Sequence, residues 1–182
     1  MTDLAALTGT WEIDPVHSRL GFNARHAMVT KVRGIFDDFA GTAHIDAENP
    51  EKSDVSVTIQ AASIDTNNEA RDNHVRNNEF LDVEKYPTLT FTSTKVEKID
   101  DETVRITGDL TIKATTKSVT IDFTFGGYAK DPFGKERIGF EGQTTINRQD
   151  YGVTFNAALE AGGVLVSDKV GIDIEVSAVK QA

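Results

Sequence analysis

Four histidines, His17, His26, His44 and His74, are the side chains of this sequence with the widest chemical reach. Imidazole titrates near neutrality and is the commonest protein metal ligand. None of the four falls into an HxH or HExxH pair, the short spacings that aim two imidazoles at one ion. Local hydrogen bonding or a surface position is therefore the expectation for each, and no metal is expected. The chain has no cysteine, which removes disulfides, thiolate nucleophiles and thiolate metal sites. A GxSxG elbow, a P-loop and a dinucleotide-binding glycine pattern are all absent, so neither a nucleophilic serine nor a nucleotide cofactor has its usual cradle. An enzyme would need a titratable pair brought together in a pocket. His17, His26, Arg33, Arg148 and Asp150 would be the residues to test for it. The expectation is a protein that is not an enzyme and takes no cofactor.

A second group of polar residues lies in Thr66 to Tyr86, TNNEARDNHVRNNEFLDVEKY, which is poor in β-branched residues and rich in helix-capping ones. Thr66 to Asn68 can cap a short helix running to about Asn77, and Asp82 can cap a second turn ended by Pro87. Arg71, His74 and Arg76 in this stretch have two readings. They either anchor the insertion through ion pairs with Asp65, Asp72 or Asp82, or they face a ligand head group.

The elements that position these residues are strands. Leu20, Phe22 and Ala24 alternate with polar neighbours. So do Val55, Val57, Ile59 and Ala61, then Val104, Ile106, Gly108, Leu110 and Ile112. Val119 to Phe125, Ile138 to Ile146 and Val170 to Val176 repeat the pattern. Period 2 gives each strand one apolar and one wet face. With the runs near Val32–Phe36, Gly41–Ile45 and Leu89–Ser93 there are roughly eight or more strands, joined mostly by short turns such as Asp131-Pro132-Phe133-Gly134. The predicted fold is all-β: one closed antiparallel barrel domain over residues 1–182, with a short helical insertion near residues 66–86.

Composition narrows the partners. The net charge of -10 and 26% charged residues imply a soluble protein that repels nucleic acid and disfavours anionic membrane surfaces. No apolar run reaches the roughly 20 residues that span a bilayer. Met1 to Thr10 lacks the basic and apolar regions of a signal peptide. Taken as written, the sequence implies a cytoplasmic protein, or a periplasmic or exported one if a leader has been trimmed.

Five segments in order resemble the YceI-like proteins, a bacterial family with a lipocalin-like barrel associated with polyisoprenoid binding. They are Trp11-Glu12-Ile13-Asp14-Pro15-Val16-His17-Ser18 with Arg25-His26, and Val32-Arg33-Gly34-Ile35-Phe36. The most specific runs from Ser63-Ile64-Asp65-Thr66 through Arg71-Asp72, His74 and Arg76 to Lys85-Tyr86-Pro87. Gly108-Asp109-Leu110-Thr111-Ile112-Lys113 and Thr145-Ile146-Asn147-Arg148 with Asp150-Tyr151-Gly152 complete the set. Ala114 stands where the family often has glycine, and Tyr151 where tryptophan is frequent.

The resemblance implies a long apolar ligand of the polyisoprenoid class, held in the barrel for transport or storage, and a homodimer as the assembly to test. On the inward faces, Leu20, Phe22, Phe36, Ile59 and Phe91 would line the ligand, together with Leu110, Phe123, Phe125, Phe140 and Ile174. His26, Arg33, Arg71, His74 and Arg148 would serve a head group or the rim. The alternative readings are a stress-related interaction module without a lipid, or an enzyme of prenyl-lipid metabolism.

Overall fold

The structure, a computed structural model, describes residues 4–182. A short helix α1 (Leu4–Leu7) precedes strands β1 (Gly9–Ile13), β2 (Arg19–His26), β3 (Thr30–Phe36), β4 (Phe39–Ile45), β5 (Asp54–Gln60) and β6 (Ile64–Asp65). Helix α2 (Glu69–Arg76) follows. Then come β7 (Thr88–Lys98), β8 (Thr103–Ile112), β9 (Thr115–Lys130), β10 (Glu136–Asn147) and β11 (Lys169–Lys180).

The eleven segments form eight long strands. β1 and β2 are halves of one strand, broken at a 3-10 turn over Pro15–His17, and both pair with β11: Trp11 lies opposite Lys180 and Leu20 opposite Ile174. β3 and β4 continue each other along β2 and β1. β6 and β5 continue each other along β3 and β4. From β5 the order β7, β8, β9, β10, β11 is a meander, and the β1–β11 pairing closes the ring. This is the closed antiparallel eight-stranded barrel that the alternation predicts. Closure leaves no long unpaired edge.

The connections sort to two ends. One end carries the β2–β3 turn, α2 and the residues after it, the β8–β9 turn, and the 148–168 connection. The other carries α1 and the β4–β5, β7–β8 and β9–β10 turns. At the first end, the Asn68 side chain accepts the Arg71 amide at 2.9 Å and caps α2, which ends at Arg76 as its sequence predicts. Asp82 does not cap a second helical turn with its side chain. It sits at φ 50°, and its carbonyl accepts the amides of Lys85 and Tyr86 at 3.1 and 2.8 Å.

The β8–β9 turn holds Lys113 at φ 51° and Ala114 at φ 62°, a left-handed pair that favours glycine. The departure from glycine at Ala114 therefore carries backbone strain. Ala114→Gly should raise stability by about 0.5–1 kcal/mol, read from the urea midpoint.

At the second end Trp11 is fully buried with Ile138 and Ala178, and its indole N–H donates to the Leu7 carbonyl at 2.8 Å. Nearby, Arg137 bridges Asp14 at 2.7 Å and Asp131 at 2.9 Å. The Arg137 guanidinium, helped by His17, holds the Asp14 carboxyl down to about 2. A depressed carboxyl stabilises the fold above its ordinary value near 3.8 and loses that contribution as pH falls through about 2. Arg137→Met should therefore lower stability at neutral pH and flatten the acid limb between about pH 4 and 2. Urea unfolding across that range measures it.

Candidate functional site

The barrel interior is two compartments. Beneath α2 it is solid: Ala61, Ile64, Phe80, Leu81, Leu89, Ile112, Tyr151 and Val153 form a buried core, with Phe22, Phe36 and Leu110 packed against it. Beyond this plug lies a chamber of about 640 Å³, within the size range of ligand pockets. Its wall contains Leu20, Ile59, Phe91, Phe123, Phe125, Phe140 and Ile174. Seven of the ten inward residues singled out in the sequence therefore meet around one space. Phe22, Phe36 and Leu110 stand in the filled compartment instead, with the rings of Phe22 and Phe36 5.6 Å apart.

The rest of the wall is aliphatic and β-branched: Ile13, Val55, Val57, Val96, Val104, Ile106, Ile121, Ile138 and Val176. The chamber stays open because these short side chains do not reach the barrel axis, not because glycines leave gaps. The inward glycines are covered by rings. A Cβ on Gly142 would meet Phe123 Cδ1 at 2.7 Å, and one on Gly108 would meet Phe91 Cζ at 2.5 Å. Gly142→Val should push the Phe123 ring into the chamber and cost about 1–3 kcal/mol of stability, read from thermal melting.

The chamber opens at the α1 end among Leu7, Asp46, Asp54, Asp100, Asp101 and Glu102, with Lys98 the one cation among the described lining residues. Lys98 is paired with Asp101 at 3.3 Å, and Asp54 with His44 at 2.9 Å. The Asn49 amide holds the Asp46 carboxyl below its usual range, and the Glu102 amide does the same for Asp100. The mouth thus stays anionic.

The cationic residues expected at a rim lie elsewhere. Arg71 donates from Nε to Thr66 Oγ1 at 2.7 Å and from its terminal nitrogen to the Thr66 carbonyl at 2.6 Å. Arg76 donates to the carbonyls of Ala62 and Ile64, both at 2.8 Å. They anchor the insertion, but to backbone and hydroxyl oxygens; the carboxylate of Asp72, buried, instead accepts the Thr66 amide and hydroxyl. His74 pairs with Glu79 at 2.6 Å and lies edge-on to Phe80 and Phe155. Arg148 is buried at the plugged end, and His26 and Arg33 are exposed, Arg33 on the outer wall. None of these six lines the chamber.

The enzyme candidates do not converge either. His17 reaches Asp14 at 2.7 Å in the strand break, far along the wall from Arg148 and Asp150 after β10. Among the described residues no three His, Asp or Glu side chains gather as a metal site, and no helix is long and apolar enough to cross a membrane.

The YceI-like domain model matches residues 11–178. A UPF0312 protein of Pseudomonas putida is 38% identical over 178 residues, covering 97% of this chain and 89% of that protein. A second, from Ectopseudomonas mendocina, is 46% identical over 138 residues, 76% of this chain and 72% of its own. Among solved structures, the Campylobacter jejuni YceI protein is 36% identical with a TM-score of 0.75, covering 87% of this chain and 90% of that one. Burkholderia cenocepacia BcnA, at 22% identity, and a polyisoprenoid binding domain from Saccharophagus degradans, at 15%, share the fold with TM-scores of 0.80 and 0.72. They cover 91% and 94% of this chain, and 98% of each of those chains.

Proposed function

The chain belongs to the YceI-like family, and on that premise we propose that it binds one long apolar tail of the polyisoprenoid type in the chamber, for carriage or storage rather than chemistry. The carrying observation is the chamber itself, an enclosed space of about 640 Å³ walled by hydrocarbon and open at one end. A methylene is near a water molecule in size, about 30 Å³, so the space suits about twenty carbons, or four isoprene units. Burying them yields about 16 kcal/mol gross at ~0.8 kcal/mol per carbon. Micromolar binding needs about 8 kcal/mol, which is reached when the association cost is no more than about 8 kcal/mol, the lower half of its roughly 4–15 kcal/mol range. No specific polar contact is required. The Saccharophagus degradans neighbour, a polyisoprenoid binding domain, supports the ligand class.

In this reading the tail lies toward the plug and the head group stands at the mouth. Five carboxylates and one lysine there disfavour an anionic head and tolerate a neutral or cationic one. Matched probes test both parts. Geranylgeraniol should bind with micromolar affinity, and geranylgeranyl phosphate at least about tenfold more weakly at low salt, the gap closing as salt rises. Native mass spectrometry after lipid extraction and reloading reads the bound mass. A chain that takes up neither probe overturns the proposal.

A further inference from the structure

The turn between β2 and β3 is tied to the 148–168 connection, the Ala27 amide donating to the Leu165 carbonyl at 2.8 Å and the Met28 sulfur lying against Gly163, and it joins three further features. It is a three-residue connection, Ala27 to Val29, with Ala27 at φ 51° and Met28 at φ 63°, positions where Asn and Gly are the ordinary choices. Its side chains are apolar yet displayed, Met28 61% and Val29 75% exposed. Its flanks are cationic: Arg25 and Lys31 stand directly opposite each other, and Arg33 follows on the same outer face opposite Asn23. Like charges so placed weaken a strand pair. Lys169 on neighbouring β11 joins Arg25 and Lys31 around one surface cleft. Arg25, Lys31, Arg33 and Lys169 are all exposed, and none has an ion-pair partner among the described residues. The carboxylate on that cleft, Asp168, is engaged by Arg148 at 3.6 Å and Gln149 at 3.2 Å.

Four unpaired cations beside a strained apolar tip are out of keeping with a chain of net charge -10. We propose that the β2–β3 turn is a docking element for a bilayer surface carrying anionic lipid, Met28 and Val29 entering the interface while Arg25, Lys31, Arg33 and Lys169 meet the phosphates. Apolar side chains flanked by long cations suit the headgroup boundary. The attraction is local, because beyond about 8 Å at physiological salt the acidic remainder of the surface is screened. Docking here turns the chamber mouth, at the opposite end of the barrel, toward water. The inference does not depend on what the chamber holds.

Vesicle flotation of the full chain tests it. Vesicles of equal phosphatidylglycerol and phosphatidylcholine should carry the protein, pure phosphatidylcholine vesicles should not, and binding should weaken as salt rises. Each Lys or Arg near an anionic surface multiplies partition about fivefold. The triple variant Arg25→Ser, Lys31→Ser, Lys169→Ser should therefore reduce it at least about tenfold, and Met28→Ser with Val29→Ser should also reduce it, with melting temperatures held near the parent's. Equal binding to both vesicle types, or unchanged binding by the triple variant, overturns the proposal. So does displacement from anionic vesicles by inorganic phosphate beyond the effect of sodium chloride at matched ionic strength, which would assign the cleft to a free anion.

Discussion

Replacing Val57 and Ile106 together by phenylalanine should abolish lipid retention while leaving the melting temperature unchanged or higher. Both side chains line the chamber, on strands where an aromatic residue is as acceptable as a β-branched one. Overpacking normally costs about 1–3 kcal/mol because a core has no spare volume. Here the added rings enter a space walled by hydrocarbon, where they gain contacts. The ligand loses what they gain. The two exchanges add seven side-chain carbons and so displace about one of the four isoprene units, and at roughly 4 kcal/mol per unit the affinity for geranylgeraniol should fall at least 100-fold. The reciprocal change is Phe22→Ala in the plug. It should cost about 3–5 kcal/mol of stability and leave the affinity of the folded fraction within a few-fold. Fluorescence or mass-spectrometric binding read beside urea unfolding separates the two compartments. Retained lipid in the double phenylalanine variant would mean that the chamber is not where the tail sits.

Alternation was enough to read the barrel, because a strand with one buried face writes its register into every second residue. The run Val104, Ile106, Gly108, Leu110, Ile112 is β8 almost to its ends, and β8 faces β9 and β7 with that set turned inward. The same signal could not divide the interior. Phe22 and Leu20 belong to one inward face, yet Leu20 borders the chamber and Phe22 the plug. Which one meets empty space depends on where α2 and the 148–168 connection insert from the end of the barrel, and period 2 is silent on that. Large aromatic residues drew attention first. The chamber depends as much on valines and isoleucines too short to fill it, and their shared β-branching on facing strands was the available clue.

The cationic residues expected at the rim lie away from the chamber for a related reason. Arginine and histidine draw attention as head-group ligands, but a guanidinium has five donors and a folded chain has carbonyls that need them. Arg71 and Arg76 serve Thr66, Ala62 and Ile64. The mouth is made of Asp46, Asp54 and Asp100 to Glu102. Asp46 and Asp100 are turn residues as well, accepting amides at 2.8–3.1 Å. Only the closure of the barrel brings those turns around one opening.

Arg148→Met should be the most destabilising exchange of a charged residue in the chain, at about 3–5 kcal/mol. Arg148 is 4% exposed, and its guanidinium donates to the carbonyls of Ser167 at 2.8 Å, Val153 at 2.7 Å, Phe155 at 2.8 Å and Val166 at 3.2 Å. The connection from β10 to β11 has only one 3-10 turn and isolated bridges of its own, so this fork takes the place of a ladder. Burial lowers the Arg148 pKa, yet an arginine remains charged, and the four carbonyls are what hold it. Methionine fills a similar volume but leaves the Ser167, Val153 and Phe155 carbonyls without that donor, while Val166 keeps the Asn156 side-chain amide at 2.9 Å; each orphaned carbonyl has a desolvation cost of about 1–3 kcal/mol unless the connection opens to water. Lysine keeps the charge with a single ammonium that cannot span four acceptors, so Arg148→Lys should recover less than half of the loss. The expected readings are a lowered urea midpoint and faster proteolysis between residues 153 and 168. In the folded fraction lipid affinity should be unchanged, because the clamp closes the end of the barrel away from the mouth. A loss below about 1 kcal/mol would show that the connection holds its path without the fork.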